Sequence, residues 1–206
     1  MNLNKRNSVI SAEKQNARVL FDKIYLTYDL ANRFLSLGLD SYWRNKVLRF
    51  ISNQPEINIL DAATGTGDII LTILKKKQNI KTAYALDLSQ QMLTRAKKKS
   101  YQLIRIVREK IRFIIGDVQQ LPFQNNFFDY ITIGFGIRNF VRLEAGLAEL
   151  NRVLKPGGTV LVLEFSLPDN RFVRLVYLIY LRYLMPLLGA LVSGSLQAYL
   201  YLNKTI

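Results

Sequence analysis

Short apolar segments that alternate with helical segments constrain the fold of this chain more than any other feature. Each short segment is apolar on both faces, as in parallel strands that helices cover on both sides of a sheet. Parallel strands need crossover connections, and the helical segments between them supply these. The predicted strands are Ile57–Asp61, Thr82–Asp87, Arg112–Ile115, Phe128–Ile133 and Thr159–Phe165, and the predicted helices are Asp68–Lys77, one that starts at Gln90 with Ser89 as its cap, and Leu143–Leu154.

The length and composition exclude several kinds of chemistry. The 206 residues suffice for one α/β domain with a substantial core and not for two. The chain has no cysteine and no histidine, which excludes disulfides, thiolate metal sites and a cysteine nucleophile, and removes the usual neutral-pH base. We therefore expect no metal site. Any proton transfer must use carboxylates, tyrosine, lysine or water, or rely on stabilisation of an anion.

The patterning divides this one domain into three segments. Residues 1–54 have apolar positions at helical spacing and are expected to form a helical cap, and residues 55–170 carry the sheet and its helices. Residues 171–206 form an apolar helical segment. Within it, Tyr183–Asn203 has no charged residue and approaches the length of a membrane span. Its glycines, serines and proline instead favour two short helices with a break near Gly189–Gly194.

The chain carries a formal net charge of +14. A surface this basic attracts nucleic acid or the anionic face of a membrane, and charge alone does not choose between them. A solvated, lysine-rich surface explains the same charge. The N-terminal residues lack the apolar core of a signal peptide, so we expect a cytoplasmic location.

A glycine turn follows the first predicted strand and opens the first core helix. Gly65 and Gly67 let the backbone turn tightly and let a ligand approach closely. Asp87 ends the second strand, where an acid can accept hydrogen bonds from ribose hydroxyls. Ile70 replaces the third glycine of the dinucleotide fingerprint, and Asp68 at the helix start would repel a pyrophosphate. The turn therefore favours a nucleoside cofactor without a pyrophosphate, although a plain strand–helix turn remains an alternative.

Several motifs together carry a family resemblance. The turn Asp61–Asp68, then Asp87, Gly116–Phe123 and Phe128-Asp129 resemble class I methyltransferase motifs in their usual order. Further segments are similar to signatures of the UbiE/MenG family of ubiquinone/menaquinone C-methyltransferases; these are Tyr28–Ser36 followed by Trp43, Gly134–Asn139, and Arg152–Gly158 continuing to Leu163–Ser166. Ala31 and Asp40 stand where this family generally has methionine and histidine.

The resemblance implies a fold and a cofactor. The fold is α/β and Rossmann-like, of class I methyltransferase type, with a mainly parallel central sheet flanked by helices and an N-terminal helical cap. The family continues beyond Leu202 with the last strands of the sheet, so we expect these C-terminal edge strands to be missing. The implied cofactor is S-adenosylmethionine, with Asp87 at its ribose and Asp117 and Val118 beside its adenine. The full set of implied cofactor-binding residues is Asp61, Gly65, Thr66, Gly67, Asp87, Asp117, Val118 and Gly134.

The resemblance also implies methyl transfer to a ring carbon of a reduced, prenylated quinone. The acceptor is a demethylmenaquinol or a 2-methoxy-6-polyprenyl-1,4-benzoquinol. We expect Arg138 to stabilise the phenolate that makes the carbon nucleophilic, and Asn139 to orient the ring. Water or a carboxylate such as Asp40 could take the proton. For Arg138 a purely structural ion pair is the alternative.

We expect the segment from Phe172 to Leu202 to lie on the side of the protein that binds the methyl acceptor. This segment is rich in leucine and tyrosine, including Tyr177, Tyr180, Tyr183 and Tyr199, and would suit an isoprenoid tail that arrives from a membrane surface. Packing of helices on the sheet explains the same residues. Peripheral contact with a membrane and a homodimer are both compatible with this interpretation.

Besides S-adenosylmethionine-dependent methylation of some other small molecule, three other functions compete with this one. An RNA methyltransferase would fit the charge, but the basic runs contain few aromatic residues for stacking on bases, so we expect no nucleic-acid partner. A non-catalytic protein that binds S-adenosylmethionine is the second alternative. The third, a nicotinamide-dependent dehydrogenase, is disfavoured by Ile70.

Overall fold

A computed structural model describes residues 19–36, 38–193, 195–197 and 200–201, and the side chains of these residues except 192 and 193. The chain forms two compact units. Residues 41–164 make up the core unit, and the described residues before 41 together with those after 164 make up the helical unit. The chain passes between the two units near residues 40 and 164. The predicted division of the sequence into segments near residues 54 and 170 stays a prediction. Tyr199 lies outside the described residues.

The core unit is built around a five-stranded sheet with the order β3-β2-β1-β4-β5, and every described strand pair is parallel. The predicted α/β class and the alternation of strands and helices are confirmed. The strands are β1 (Ile57–Ala62), β2 (Ile80–Asp87), β3 (Ile111–Ile115), β4 (Phe128–Gly134) and β5 (Leu154–Leu163). The helices of this unit are α4 (Asp68–Lys76), α5 (Gln90–Ser100), α6 (Arg105–Arg108) and α7 (Leu143–Val153), with 3₁₀ turns at Leu48–Phe50 and Ile137–Asn139.

Apolar residues on both faces of the sheet explain this arrangement. One core cluster joins Ile59 on β1 to Ile70 and Ile73 on α4, and the other joins Leu60 on β1 to Leu150 on α7. Adjacent residues of one strand point to opposite faces, so β1 is buried on both sides and helices cover the sheet on both sides.

The strand order places a ligand site at a defined edge. The chain runs from β1 outward through β2 to β3, and β4 then pairs with the other side of β1. In open α/β sheets, ligands bind beyond the carboxyl ends of the strands at the point where the order reverses. In this sheet that point lies between β1 and β4, directly beside the glycine turn.

The fifth strand is longer than predicted. It begins at Leu154 rather than at Thr159, and its pairing with β4 shifts register between Phe128 and Tyr130. The Pro156-Gly157-Gly158 sequence lies inside this irregular part of the strand. Proline is tolerated there because β5 is at an edge of the sheet, where one side of the strand donates no ladder hydrogen bonds.

The helical unit contains helical residues 19–24 (α1), α2 (Tyr28–Leu35), α8 (Arg171–Ile179), a π-helical turn (Tyr180–Leu184) and α9 (Met185–Ser193). The helix α3 (Leu39–Val47) includes the boundary with the core unit. Ile24 and Ala31 are the buried centre of an apolar cluster between α1 and α2. The hydroxyl group of Tyr180 donates a hydrogen bond of 2.7 Å to the carbonyl oxygen of Leu35.

The expected break near Gly189–Gly194 is only partly correct. Helical structure is continuous from Arg171 to Ser193, and Gly189 lies inside it. Ser195 lies outside any helix. A π-helical turn, Tyr180–Leu184, lies directly before Met185 and Pro186 in this run.

The part of this helix from Arg171 to Leu191 is long and apolar enough to span a membrane by length and composition alone, although one such helix is weak evidence because core helices of soluble proteins pass the same criteria. Most of it is not buried. Phe172 and Leu191 have 75% and 76% of their surface exposed.

Candidate functional site

The glycine turn adopts the backbone geometry that the sequence predicts. Gly65 and Gly67 have φ values of +55° and +79°, in the left-handed region that favours glycine. No described atom lies within 4 Å of the place that a Cβ of Gly65 would take, so its backbone faces open space. At Gly67 the same position is 3.0 Å from the Cβ of Ala96 on α5, so this glycine permits close packing of helix and turn.

Asp87 holds the turn and the start of α5 together. Its Oδ2 accepts a hydrogen bond of 2.8 Å from the amide of Gly65, and its Oδ1 accepts one of 2.9 Å from the amide of Ser89. Ser89 in turn caps α5, since its hydroxyl oxygen accepts from the amide of Met92 at 3.0 Å. The predicted cap is confirmed. The predicted ribose-binding carboxylate therefore lies against the predicted cofactor turn, across two neighbouring strand ends.

Asp61 is buried beneath the turn and is 1% exposed. The hydroxyl groups of Thr64 and Thr132 donate hydrogen bonds of 2.5 Å and 2.6 Å to its two carboxylate oxygens. Burial outweighs these hydrogen bonds and raises the pKa of Asp61 from 3.8 to about 6. Thr132 on β4 was not predicted at the site, because only the pairing of β1 with β4 brings it to Asp61.

Two basic side chains surround Asp68 at the start of α4. Arg44 of α3 lies 3.1 Å from one carboxylate oxygen, and Lys99 of α5 contacts the other. Lys99 also donates a hydrogen bond of 3.2 Å to the hydroxyl group of Thr66, which is itself buried. These contacts join α3, α4 and α5 around the turn. Arg44 and Lys99 carry no local sequence signal that separates them from surface charges.

The loop after β3 contributes Asp117 and Val118. Asp117 accepts hydrogen bonds from the backbone amide and the side-chain amide of Gln119, at 2.9 Å and 3.0 to 3.1 Å. Val118 is buried in the cluster that contains Leu60 and Leu86. Both residues follow β3 at the carboxyl edge of the sheet, which is compatible with a place beside the adenine. That place stays a prediction.

The segment after β4 packs closely against the turn. A Cβ on Gly134 would come within 2.2 Å of the Cδ1 of Ile69. A Cβ on Gly136 would come within 2.8 Å of the Cβ of Ala63. Small residues at these positions therefore bring the segment that continues to Arg138 beside the glycine turn.

Arg138 forms a largely buried ion pair with Glu164. Its Nη1 lies 2.5 Å from Oε1 of Glu164, and the two side chains are 9% and 21% exposed. Arg138 lies in the 3₁₀ turn after β4 and Glu164 directly follows β5, so the carboxyl ends of two paired parallel strands bring them together. The amide of Asn139 donates to the carbonyl oxygen of Gly136 in the same turn.

Glu164 lies in the motif Leu163–Ser166, and no role at the site was predicted for it. One available signal was its position, since it is an acidic residue directly after an apolar strand. The structure contains the ion pair that is the alternative role for Arg138.

Asp40 belongs to the helical unit and is 4% exposed. The hydroxyl group of Ser36 donates to it at 3.0 Å, and Arg33 lies 3.9 Å away. Its role as a proton acceptor stays a prediction.

The residues around the turn suit S-adenosylmethionine. Gly65 offers open backbone, and three acidic side chains, those of Asp61, Asp87 and Asp117, lie at the ends of β1, β2 and β3. A cluster of carboxyl groups favours a cation with ribose hydroxyls and disfavours a pyrophosphate. The fit therefore agrees with the cofactor that the motifs imply.

Comparison with known proteins gives a consistent picture. Residues 9–206 match the model of the ubiE/COQ5 methyltransferase family. The chain is 38% identical over 190 residues to the ubiquinone/menaquinone biosynthesis C-methyltransferase UbiE of Rickettsia prowazekii, covering 91% of this chain and 75% of that protein. It is 40% identical over 187 residues to the demethylmenaquinone methyltransferase of Thermus thermophilus, covering 91% and 83%.

Solved structures support the fold. The YcgJ protein of Bacillus subtilis is similar with a TM-score of 0.56 and 22% identity, covering 70% of this chain and 60% of that one. A methyltransferase of Aquifex aeolicus, described as SAM-dependent, has a TM-score of 0.55 and 21% identity, covering 65% and 69%. The predicted Rossmann-like class I methyltransferase fold is confirmed, and the family match shows that this chain belongs to the ubiE/COQ5 methyltransferase family.

Proposed function

We propose that this protein transfers a methyl group from S-adenosylmethionine to a ring carbon of a prenylated quinol, as a step in the biosynthesis of respiratory quinones. Its relatives carry the names demethylmenaquinone methyltransferase and ubiquinone/menaquinone biosynthesis C-methyltransferase. The observation that carries the proposal is the close packing of the segment that leads to Arg138 against a glycine turn suited to the cofactor, since a Cβ on Gly136 would lie 2.8 Å from the Cβ of Ala63.

The glycine turn, Asp87 and Asp117 would hold the cofactor. When bound, S-adenosylmethionine supplies a methyl group on a positively charged sulfur, which a nucleophilic carbon can displace. The protein then has to fix the acceptor carbon in line with that group. Positioning of this kind can lower a barrier by on the order of 7–11 kcal/mol.

Aromatic and basic side chains near the turn suit a ring acceptor. The rings of Trp43 and Phe135 meet edge to face with centroids 6.4 Å apart, and Phe135 lies three residues before Arg138. A quinol ring would pack against such an apolar wall, and the guanidinium group of Arg138 would stabilise its phenolate. Asn139 would orient the ring by hydrogen bonding.

We further propose that the acceptor reaches the protein at a membrane surface. The helical run from Arg171 to Leu191 contains three arginines and no aspartate or glutamate. Many of its apolar side chains are exposed, including Phe172, Tyr183 and Leu191. Such a helix suits peripheral contact between a cytoplasmic protein and an anionic bilayer, where an isoprenoid tail resides.

Methyl transfer to purified acceptors tests this function. The protein is incubated with methyl-labelled S-adenosylmethionine and, in parallel, with demethylmenaquinol, 2-methoxy-6-polyprenyl-1,4-benzoquinol or bulk RNA. We expect label on at least one quinol and none on RNA. Label on RNA alone, or on none of the three, would refute the proposal, and the quinol that accepts the label identifies the ring type.

A further inference from the structure

The pairing of Arg138 with Glu164 has a consequence for the charge of the site. A guanidinium group whose positive charge is already balanced by a carboxylate adds little to the stability of a second anion beside it. The pair is largely shielded from water, with side chains that are 9% and 21% exposed. A phenolate formed next to an intact pair would therefore leave an excess negative charge in a poorly solvated place.

The net charge of the site stays the same if the carboxylate of Glu164 takes the proton that the quinol loses. Glu164 then becomes neutral, and the guanidinium group of Arg138 pairs with the phenolate in its place. One buried ion pair is exchanged for another, and no net charge is created. The chain has no histidine to act instead.

We propose that Glu164 takes the proton from the hydroxyl group of the quinol that receives the methyl group. In this step the O–H bond of the quinol breaks, the proton goes to a carboxylate oxygen of Glu164, and the electron pair stays on the quinol oxygen, from which it delocalises onto the ring carbon. After methylation the ring carbon loses its hydrogen as a proton, the oxygen regains one, and Glu164 releases its proton to solvent. The inference rests on the proposed function and holds for either quinol.

Glu164→Gln tests this step, because glutamine keeps the size and one oxygen acceptor for Arg138 but takes up no proton. We expect kcat to fall by about 100-fold or more, the usual contribution of a general base. The KM for the quinol should change little. Binding of S-adenosylhomocysteine, measured by calorimetry, should stay close to that of the wild type. The thermal unfolding midpoint should fall, because the buried guanidinium group of Arg138 loses its counter-charge.

Glu149→Gln is the matched control. Glu149 also pairs with an arginine, Arg152, at 2.7 Å in the same unit, but on α7. The Glu149→Gln substitution removes one Arg–Glu pair in the same way, and it should leave kcat nearly unchanged. A loss in kcat as large as that of Glu164→Gln would mean that broken ion pairs, rather than proton transfer, slow the enzyme.

A quinol with a more acidic hydroxyl group distinguishes whether Glu164 takes the proton or only positions Arg138. A chlorine on the fused ring of a naphthoquinol, or on a free ring position of the benzoquinol that is not methylated, lowers the hydroxyl pKa. If Glu164 takes the proton, the loss of kcat in Glu164→Gln should be smaller with this chlorinated quinol and should also become smaller with rising pH, because a more ionised hydroxyl group needs less help to lose its proton. An equal deficit for both acceptors at every pH, or wild-type kcat in Glu164→Gln, would overturn the proposal.

The proposed function is judged separately. Turnover of the wild-type protein on either unmodified quinol decides it. The ratio of variant to wild-type turnover on that quinol decides the role of Glu164.

Discussion

Two acidic residues at the ends of neighbouring strands have different surroundings. Asp87 receives amide hydrogen bonds from Gly65 and Ser89 and is half-buried, whereas Asp61 is fully buried and is bound by two threonine hydroxyl groups. Both were predicted to bind the cofactor. The structure gives Asp61 a second task, because its side chain ties the turn to β4 through Thr132.

The raised pKa of Asp61 predicts a specific dependence of stability on pH. Its pKa is about 6 in the folded protein against 3.8 as the ordinary value. Between about pH 4 and pH 6 the unfolded chain has lost this proton while the folded protein still binds it. The free energy of unfolding therefore falls with rising pH in this window, by up to about 3 kcal/mol for this group, and the contribution is constant above it.

Asp61→Asn removes this titration, since an amide keeps the shape and hydrogen-bonding capacity but does not ionise. We expect the stability of the variant relative to the wild type to rise by up to about 3 kcal/mol from pH 4 to pH 7. Urea unfolding of both proteins at each pH gives the difference. A difference that stays constant over this range would contradict a raised pKa.

At the scale of elements, the turn between β1 and α4 combines a backbone conformation that favours glycine with an open approach for a ligand. Gly65 and Gly157 are both in left-handed conformations, with φ of +55° and +77°, and neither would place a Cβ within 4 Å of a described atom. Gly65 is beside Asp87 at the carboxyl edge of the sheet, whereas Gly157 lies in the irregular first part of β5.

Alanine at these two positions separates strain from ligand binding. Each substitution places an L side chain in the left-handed region and should lower the free energy of unfolding by about 1 to 2 kcal/mol. Only Gly65→Ala puts a methyl group into the predicted cofactor cradle. We expect it to weaken binding of S-adenosylhomocysteine more than tenfold by calorimetry, whereas Gly157→Ala keeps its affinity. Equal affinities for the two variants would place the cofactor elsewhere.

At the scale of the whole molecule, a large positive charge accompanies a long apolar helix. The net charge of +14 acts over distances set by salt, with a Debye length of about 10 Å at 0.1 M and about 3 Å at 1 M. The apolar contribution of the helix depends much less on salt. The proposed membrane contact should therefore have one component that salt weakens and one that it does not.

Sedimentation with lipid vesicles measures these components. We expect stronger binding to phosphatidylcholine vesicles that contain phosphatidylglycerol than to vesicles that lack it, and weaker binding to the former at high salt. Arg171 and Arg182 are both exposed. Their substitution with glutamine should weaken binding by about 1 kcal/mol per arginine, or roughly 30-fold for the pair.

The matched control removes the same charge from another surface. Lys97 and Lys98 are exposed on α5, and their substitution with glutamine lowers the net charge equally. If the helix contacts the membrane, this pair should have a smaller effect. Equal effects of the two double variants would show that only net charge attracts the protein to the vesicles.

The sequence by itself determined the fold class, the order of the elements and the cofactor turn. These depend on local patterns, because apolar strands, glycines with positive φ and a serine cap are dictated within a few residues of the chain. The cap at Ser89 and the turn at Gly65 and Gly67 are confirmed for that reason. The continuous helix through Gly189 shows the limit, since the helix continues there despite a local break signal.

Only the tertiary structure decided which distant side chains meet. Parallel pairing of β1 with β4 joins Thr132 to Asp61, and pairing of β4 with β5 joins Glu164 to Arg138. These partners are 71 and 26 residues apart in sequence, and no local pattern encodes such contacts. Burial then fixes the chemistry of Asp61, because removing its carboxyl group from water raises its pKa.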